Sequence, residues 1–154
     1  MRILLIGQSG QVAYELERSL ACLGEVISRS RGSEPALDLL VPEEVKHQIE
    51  SLRPDLVINA AAYTQVDRAE SESPSAFAIN AESVGEMALA CHRLGIPLVH
   101  YSTDYVFDGK GTRPYRENDP TGPDGVYAAS KYLGEERIRE SGASHLILRT
   151  AWVY

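Results

Sequence analysis

The chain has 154 residues, of which 44% are hydrophobic and 24% are charged, which suits one globular domain with a substantial core. The formal net charge of -7 argues against a nucleic-acid binder, because such proteins present a basic face. No apolar run approaches the roughly 20 residues of a membrane span, and no basic leader precedes the first apolar run. We therefore expect a cytoplasmic protein without a membrane partner.

The two cysteines, Cys22 and Cys91, both lie in helical patterns and have neither a nearby partner cysteine nor metal-ligand spacing. The pattern predicts two reduced core thiols and no metal site.

The N-terminal segment predicts a strand, a glycine-rich turn and a helix. Arg2–Ile6 is a continuous apolar run, typical of a buried parallel strand. The helix that follows should end at Gly24, with Val12, Leu16, Leu20 and Leu23 on its apolar face. Glycines in such a turn let the backbone approach a pyrophosphate, and the helix N-terminus offers free N–H groups. We predict a dinucleotide site, rather than a turn without a ligand, formed by Gly7, Gln8, Ser9, Gly10, Gln11 and Val12.

The second predicted strand, Val26–Ser28, leads into Arg29 and Arg31, and no acidic residue follows before Glu34. An acidic side chain at this point usually binds the ribose hydroxyls of NAD, whereas arginines suit the 2′-phosphate of NADP. The sequence therefore favours NADPH and leaves NADH open. The alternative is a solvated basic loop.

Two more strands follow. Residues 36–40 are predicted as a short edge strand in which Asp38 and Leu39 border an adenine. After a helix from Pro42, the strand Leu56–Ile58 delivers small residues to the sheet edge, where they leave room for a ligand. The candidates there are Ala60, Ala61, Ala62 and Tyr63. A tight strand-to-loop junction is the alternative.

The longest predicted helix begins with Ser73 as N-cap, followed by Pro74, and ends at Gly95. Asn80 falls on its inward face. The side chain is either a satisfied core amide or a group near the reaction centre that holds a water at the cofactor, and we favour the second.

The next predicted strand contains His100, which we expect to be packed rather than catalytic, and ends in Ser102 and Thr103. The irregular segment of residues 104–125 is long enough to predict a binding loop.

Tyr127 and Lys131 follow that loop on a predicted helix, and their four-residue spacing puts both on one face. A neighbouring cation lowers the pKa of a phenol, which makes the pair a candidate acid/base centre. The alternative is an ordinary tyrosine beside a solvated lysine.

Strands and helices alternate throughout, which predicts an α/β fold: a doubly wound parallel Rossmann-type sheet with helices on both faces. The strand ending at Thr103 should adjoin the one ending at Asn59. Ser102, Thr103, Tyr127 and Lys131 would then share the cofactor crevice.

Five motifs occur in the order seen in the extended short-chain dehydrogenases/reductases: Gly7-x-x-Gly10-x-x-Ala13, Asn59–Thr64, Tyr101–Phe107, Tyr127-x-x-x-Lys131 and Arg149–Tyr154. Within that superfamily the chain most closely resembles the dTDP-4-dehydrorhamnose reductase family. The resemblance implies that residues 1–154 are an NAD(P)-binding Rossmann domain and that the family's C-terminal substrate domain is absent from this chain. We interpret the chain as part of a longer reductase.

The resemblance implies NADPH-dependent reduction of the 4-keto group of dTDP-4-dehydro-L-rhamnose to dTDP-L-rhamnose. Tyr127 would protonate the carbonyl oxygen, Lys131 would lower the Tyr127 pKa and bind the nicotinamide ribose, and Thr103 would orient the ketone. Further candidates for sugar or base contacts are Thr64, Val66, Tyr105 and Trp152. The partner is a dTDP-sugar, and a homodimer of the full-length protein is left open.

Two alternatives remain: a nucleotide-sugar epimerase or dehydratase of the same superfamily, and a non-catalytic NADP-binding regulatory subunit.

Overall fold

The computed structural model describes residues 1–153, so Tyr154, the last residue of the fifth motif, lies outside the described residues. The strands are β1 (Arg2–Ile6), β2 (Glu25–Arg29), β3 (Leu56–Asn59), β4 (Leu98–Thr103) and β5 (His145–Thr150). The α-helices are α1 (Gln11–Leu20), α2 (Pro42–Leu52), α3 (Val66–Ala69), α4 (Ser73–Phe77), α5 (Ser83–Leu94) and α6 (Val126–Ser141). A π-helical turn, Ala78–Glu82, joins α4 to α5, and a 3-10 turn, Asp104–Val106, follows β4. Within residues 1–153 no helix combines the length and the apolar character needed to cross a bilayer.

The five strands form one parallel sheet in the order β2-β1-β3-β4-β5. The chain therefore proceeds outward from β1 to β2 and then returns to the other side of β1 for β3. This reversal is the topological switch point at which such sheets bind ligands. β3 pairs directly with β4, with Asn59 opposite His100, as the sequence predicted.

Alternate residues of β1 pack against helices on opposite faces of the sheet. One face carries Leu4 and Ile6, which lie in a cluster with Val45, Ile49, Val84, Met87 and Ile138 of α2, α5 and α6. The other carries Ile3 and Leu5, which pack with Leu16 and Leu20 of α1. The predicted doubly wound α/β fold with helices on both faces is confirmed.

The first helix is shorter than its apolar pattern predicted. α1 ends at Leu20, and Leu23 is 56% exposed rather than packed. The chain leaves the helix early because Glu25 must reach Met1, whose carbonyl accepts a hydrogen bond from the Glu25 N–H at 2.9 Å. Cys22 lies in this turn and is exposed, so only Cys91 is a core thiol.

Residues 36–40 do not form the predicted edge strand. Leu37 and Leu39 are buried, but the backbone between β2 and α2 bonds locally instead of to a strand. The Leu37 N–H donates to the Ser30 carbonyl at 2.8 Å, and the Asp38 N–H donates to the Glu44 carboxylate at 3.1 Å. The alternating apolar residues therefore indicate a loop that is buried against the core, not a strand.

The long helical region begins one residue earlier than predicted: Glu72, not Ser73, occupies the N-cap of α4, because proline is tolerated anywhere in the first helical turn. The π-helical turn was not predicted. It widens the helix opposite α6, where a side chain at Gly134 would overlap the Asn80 carbonyl oxygen. Position 134 is a glycine because α6 packs directly against the backbone of the π-helical turn.

Candidate active site

A cleft runs along the carboxyl ends of β1, β3 and β4. It consists of two adjoining depressions of about 260 Å³ and about 290 Å³. Both are lined by residues that follow β3, namely Ala60, Ala61, Ala62 and Thr64. Small side chains at this strand end keep the two halves continuous, as the sequence predicted for a nucleotide cleft.

The first half of the cleft, the glycine-turn depression, is built around the loop between β1 and α1. Its predicted lining residues are Gly7, Gln8, Ser9, Gly10, Arg29, Arg31, Asp38 and Leu39. Gly7 has φ 118°, a conformation that favours glycine. Gly10 has the ordinary φ of -79°, and a Cβ built on it would meet no atom of the described part of the chain within 4 Å. Its small size therefore leaves open space above the N-terminus of α1.

The end of β2 places cationic groups beside that space. The Arg29 Nε is buried and has no hydrogen-bond partner within residues 1–153, while its Nη1 donates to the Ser28 carbonyl at 3.0 Å. A buried N–H without a partner costs free energy unless a ligand accepts from it. An open glycine, a free helix N-terminus and this unpaired guanidinium donor fit a phosphate-rich dinucleotide.

The second half, the Tyr–Lys depression, brings together residues from distant parts of the chain. Its predicted residues are Val12, Thr64, Val66, Ser102, Thr103, Tyr105, Tyr127, Lys131 and Trp152. Tyr101, Asp104 and residues 150–153 also line it. The Tyr105 ring meets the Tyr127 ring edge-on, with centroids 6.0 Å apart. The predicted convergence of Thr103, Tyr127 and Lys131 is thus present in the structure.

The Tyr127 phenol is held in its protonated form. Burial raises its pKa, the Thr103 side chain opposes that rise, and Tyr105 and Asp104 add to it. The prediction that Lys131 lowers the pKa of Tyr127 is wrong for this structure, because the pKa is raised and Lys131 is not among the groups that shift it. The Lys131 Nζ donates to the Tyr101 carbonyl at 2.7 Å.

Lys131 itself is only 2% exposed. Burial lowers its pKa to about 8, against an opposing contribution from Glu135. The Nζ also lies 3.4 Å from the Nε2 of His100, a fully buried side chain. The prediction that His100 is a packed, hydrogen-bonded side chain is confirmed.

The Thr103 hydroxyl is engaged by its own loop. It accepts a hydrogen bond from the Tyr105 N–H at 3.2 Å and donates one to the Asp104 carboxylate at 3.2 Å. Because a hydroxyl carries a single proton, orienting a ketone requires Thr103 to turn that proton from Asp104 into the cleft.

Glu135 anchors α6 to the sheet and is fully buried. It accepts hydrogen bonds from Arg149 of β5 at 2.6 and 2.9 Å and from Arg139 at 2.7 Å. Burial raises the Glu135 pKa, but these hydrogen bonds, led by that from Arg149, outweigh burial and lower it. Arg149 also lies over the ring of Phe107, 4.9 Å from its centroid. The same guanidinium therefore contacts both Glu135 and the loop after β4.

Three predicted cofactor residues lie outside both depressions. Gln11 is an exposed residue at the start of α1. The Tyr63 hydroxyl donates to Glu72 at 2.7 Å. The Asn80 amide bonds the backbone of Tyr63 at 2.9 and 3.1 Å and the Ser130 hydroxyl at 3.0 Å. The structure therefore favours the structural interpretation of Asn80.

Sequence reasoning missed the residues that hold α6 in place. Glu70 accepts a hydrogen bond from the first N–H of α6, and no local signal marks it. Glu135 could have been found, because it lies four residues after Lys131 and therefore on the same helical face. The contacts of Lys131 with Tyr101 and His100 depend on strand pairing, which the sequence does not specify at side-chain resolution.

Among Rossmann-type proteins, the short-chain dehydrogenases/reductases bring a tyrosine and a lysine four residues apart to the nucleotide cleft. The fold and the site together put the chain in that class. The whole chain, residues 1–154, also matches the sequence model of the RmlD substrate binding domain family. The chain belongs to that family, which confirms its resemblance to the dTDP-4-dehydrorhamnose reductases.

Known relatives agree with this assignment. The chain is 50% identical to the dTDP-4-dehydrorhamnose reductase of Burkholderia thailandensis, over 100% of this chain and 51% of the relative. A crystal structure of the Clostridium acetobutylicum reductase superposes with a TM-score of 0.93 at 35% identity, over 100% of this chain and 54% of that one. The Bacillus anthracis reductase in complex with NADP gives 0.91 at 34% identity, over 99% and 54%. The chain thus spans about half the length of the relatives it matches.

Proposed function

We propose that this chain is the cofactor-binding part of an NADPH-dependent reductase that converts the 4-keto group of dTDP-4-dehydro-L-rhamnose into the hydroxyl of dTDP-L-rhamnose. One observation carries the proposal. Thr103, Tyr127 and Lys131 line a single depression that continues through Ala60–Ala62 into the glycine-turn depression. A nicotinamide beside Tyr127 and a pyrophosphate above Gly10 would then belong to one molecule.

NADPH is the cofactor we propose, with NADH as the weaker ligand. Arg29 and Arg31 flank the glycine-turn depression, and the unpaired Nε of Arg29 suits a 2′-phosphate oxygen. The relative from Bacillus anthracis, which was crystallised with NADP, supports the same choice. Asp38 and Leu39 would border the adenine at the far end of this depression.

The chain's own residues supply proton transfer and orientation. The bound cofactor would supply the hydride for the carbonyl carbon. Tyr127 is the proton donor that we propose for the carbonyl oxygen, because its phenol lines the depression beside Thr103 and is protonated at neutral pH. Thr103 would donate a second hydrogen bond to that oxygen after turning away from Asp104. Lys131 would bind the nicotinamide ribose from the floor of the depression.

The sugar nucleotide would lie against the outer part of the Tyr–Lys depression. Val66, Tyr105 and Trp152 line it and are 40%, 42% and 75% exposed, so each has surface available for a ligand. Thr64 would face both ligands, because it lines both depressions. These four residues are the substrate contacts that we propose.

We further propose that residues 1–154 form one NAD(P)-binding domain and that turnover also needs the rest of the length that the relatives have. A separate substrate domain would close the cleft over the sugar nucleotide. A cytoplasmic location fits a buried, reduced Cys91.

The test has two stages. First, the 154-residue chain is titrated with NADPH and NADH by cofactor fluorescence. Second, NADPH oxidation is followed with dTDP-4-dehydro-L-rhamnose, for this chain and for the same protein extended to the relatives' length. We expect binding by both proteins and turnover by the extended one. Binding without turnover in either would favour a regulatory NADP-binding subunit, and absence of NADPH binding would contradict the proposal.

A further inference from the structure

Two buried polar side chains, Asn59 and His100, lead to Lys131 and line neither depression of the cleft. Asn59 at the end of β3 and His100 in β4 are both fully buried. The Asn59 Nδ2 lies 3.1 Å from the His100 Nδ1, and the His100 Nε2 lies 3.4 Å from the Lys131 Nζ. The proposed reaction assigns no role to either Asn59 or His100.

The orientation of Asn59 is fixed by the backbone. Its Oδ1 accepts a hydrogen bond from the Ala61 N–H at 3.1 Å, so the other end of the amide, the NH₂ group, must face His100. An NH₂ group can only donate. The His100 Nδ1 must therefore accept, which means that it carries no proton.

The tautomer of His100 follows from that acceptor. A neutral imidazole with a bare Nδ1 has its proton on Nε2, and burial together with Lys131 lowers the His100 pKa well below its usual value. The Nε2–H therefore points at the Lys131 Nζ. A neutral amine can accept this hydrogen bond, whereas an ammonium group, which can only donate, cannot.

We propose that Asn59 and His100 are positioning residues that set the protonation of Lys131: Asn59 selects the His100 tautomer whose Nε2–H stabilises the neutral amine against the ammonium. Asn59 acts through His100, and His100 acts through Lys131, so neither needs to touch the substrate. The Tyr101 carbonyl accepts a hydrogen bond from the Lys131 Nζ at 2.7 Å and so favours the ammonium.

Other groups around Lys131 act in opposite directions. Glu135 on α6 and His100 on β4 act on it directly. Tyr127, Asp104 and Tyr105 line the same depression as Lys131, and Arg149 on β5 pairs with Glu135. Glu135 favours the ammonium, but its charge is already shared with two arginines. The net result is a Lys131 pKa of about 8, below the ordinary value, with burial as the main cause.

The consequence for reduction rests on the proposed function. When Tyr127 has given its proton to the carbonyl oxygen, the phenolate must be reprotonated. A Lys131 whose pKa is about 8 would supply that proton, and the Nε2–H of His100 would stabilise the amine that remains. The amine would take a proton back from solvent water before the next turnover. Turnover should then change with pH as Lys131 titrates.

The test does not need turnover. The chain contains only three lysines, Lys46, Lys110 and Lys131, and four histidines. Carbon-13 labelling at the lysine Cε therefore gives three resolvable signals, and nitrogen-15 labelling reports which ring nitrogen of each histidine carries the proton. We expect His100 to be protonated on Nε2 and bare on Nδ1. A proton on Nδ1 would overturn the proposal.

Two substitutions test the link to Lys131. Asn59→Asp offers an acceptor to Nδ1–H, so it should reverse the tautomer. His100→Gln, which adds no charge, offers an amide oxygen to Lys131. Each should raise the midpoint of the Lys131 titration by roughly one pH unit, the size expected for one hydrogen bond to a charged group.

The exposed Asn118→Asp is the matched control for added charge and should leave the Lys131 signal unchanged. A Lys131 midpoint that stays unchanged in H100Q would overturn the proposal, and this holds even if N59D fails to fold. These NMR measurements use only the free chain. A negative result would therefore leave the reductase proposal standing, and a failed reductase assay would leave the NMR test of His100 and Lys131 valid.

Discussion

The Glu70 carboxylate accepts a hydrogen bond of 2.7 Å from the backbone N–H of Val126, the first residue of α6, across 56 positions of sequence. Gly125, the residue before α6, offers no side chain to cap the helix. Glu70 therefore supplies the cap from another part of the chain, and its negative charge suits a helix N-terminus. Tyr127 is the next residue, so this contact fixes where the phenol enters the cleft.

Glu70→Gln should weaken that cap by removing its charge. We expect the free energy of unfolding to fall by about 1 kcal/mol and hydrogen exchange to speed up in the first turn of α6. Urea unfolding and amide exchange measure the two effects. Glu140→Gln, an exposed residue near the other end of α6, is the control and should change neither quantity. Equal exchange rates in Glu70→Gln and the unsubstituted chain would contradict this role.

Gly134→Ala should destabilise the protein although alanine is the better helix former. A methyl group at this position would overlap the Asn80 carbonyl oxygen of the π-helical turn, and overpacking of this kind costs about 2 kcal/mol.

Gly85→Ala is the matched comparison for Gly134→Ala. Gly85 also lies within a helix, but its nearest neighbour, the Arg137 Cβ, would be at an ordinary 3.4 Å. There we expect a gain of up to about 1 kcal/mol. Chemical denaturation of both variants gives the comparison, and the same sign of change in both would rule out close packing at Gly134.

Gly10→Ala separates ligand binding from folding. Because the backbone φ of Gly10 is ordinary and open space lies above it, the substitution should leave stability unchanged. The methyl group would occupy the space proposed for the pyrophosphate, so we expect the NADPH Kd to rise at least about tenfold, or 1.4 kcal/mol. Isothermal titration measures it. Gly32→Ala, outside the lining of the depression, serves as control, and unchanged NADPH affinity in Gly10→Ala would place the phosphates elsewhere.

Replacing Arg29 and Arg31 together by alanine should discriminate between the cofactors. Both residues line the glycine-turn depression, and a 2′-phosphate is the only group that distinguishes NADPH from NADH. We expect NADPH affinity to fall at least about tenfold, which corresponds to one charge-assisted hydrogen bond, and NADH affinity to change little. Arg18→Ala, on the exposed face of α1, controls for the loss of charge. Equal losses for both cofactors would show that the arginines do not recognise the phosphate.

The sequence was sufficient to predict the sheet, because buried parallel strands and amphipathic helices have different apolar periods. It failed where burial occurs without regular structure. Leu37 and Leu39 alternate like a strand, yet they belong to a loop that covers the core. Leu23 continues the helical period of α1, yet it is exposed because the chain must turn toward β2.

The sequence was enough to predict which residues line the candidate site. It was much less able to predict which atoms they contact. Tyr127 and Lys131 share a face through helix geometry alone, so their presence in one cleft followed from the spacing. The direction of the Lys131 ammonium depends on the Tyr101 carbonyl and on His100, which belong to a neighbouring strand. The expected effect of Lys131 on the phenol was therefore wrong, and Asn80 proved to be tied to Tyr63 rather than to the cleft.

The most direct test of the proposed reaction compares Tyr127→Phe with Tyr132→Phe, five residues further along α6, in the protein extended to the relatives' length. NADPH affinity and the rate of NADPH oxidation with dTDP-4-dehydro-L-rhamnose are measured for both variants. We predict that Tyr127→Phe keeps NADPH affinity within about twofold and lowers kcat by about 100-fold or more, as expected for loss of a general acid, while Tyr132→Phe changes neither. Undiminished turnover in Tyr127→Phe would contradict the assignment of the Tyr127 phenol as the proton donor.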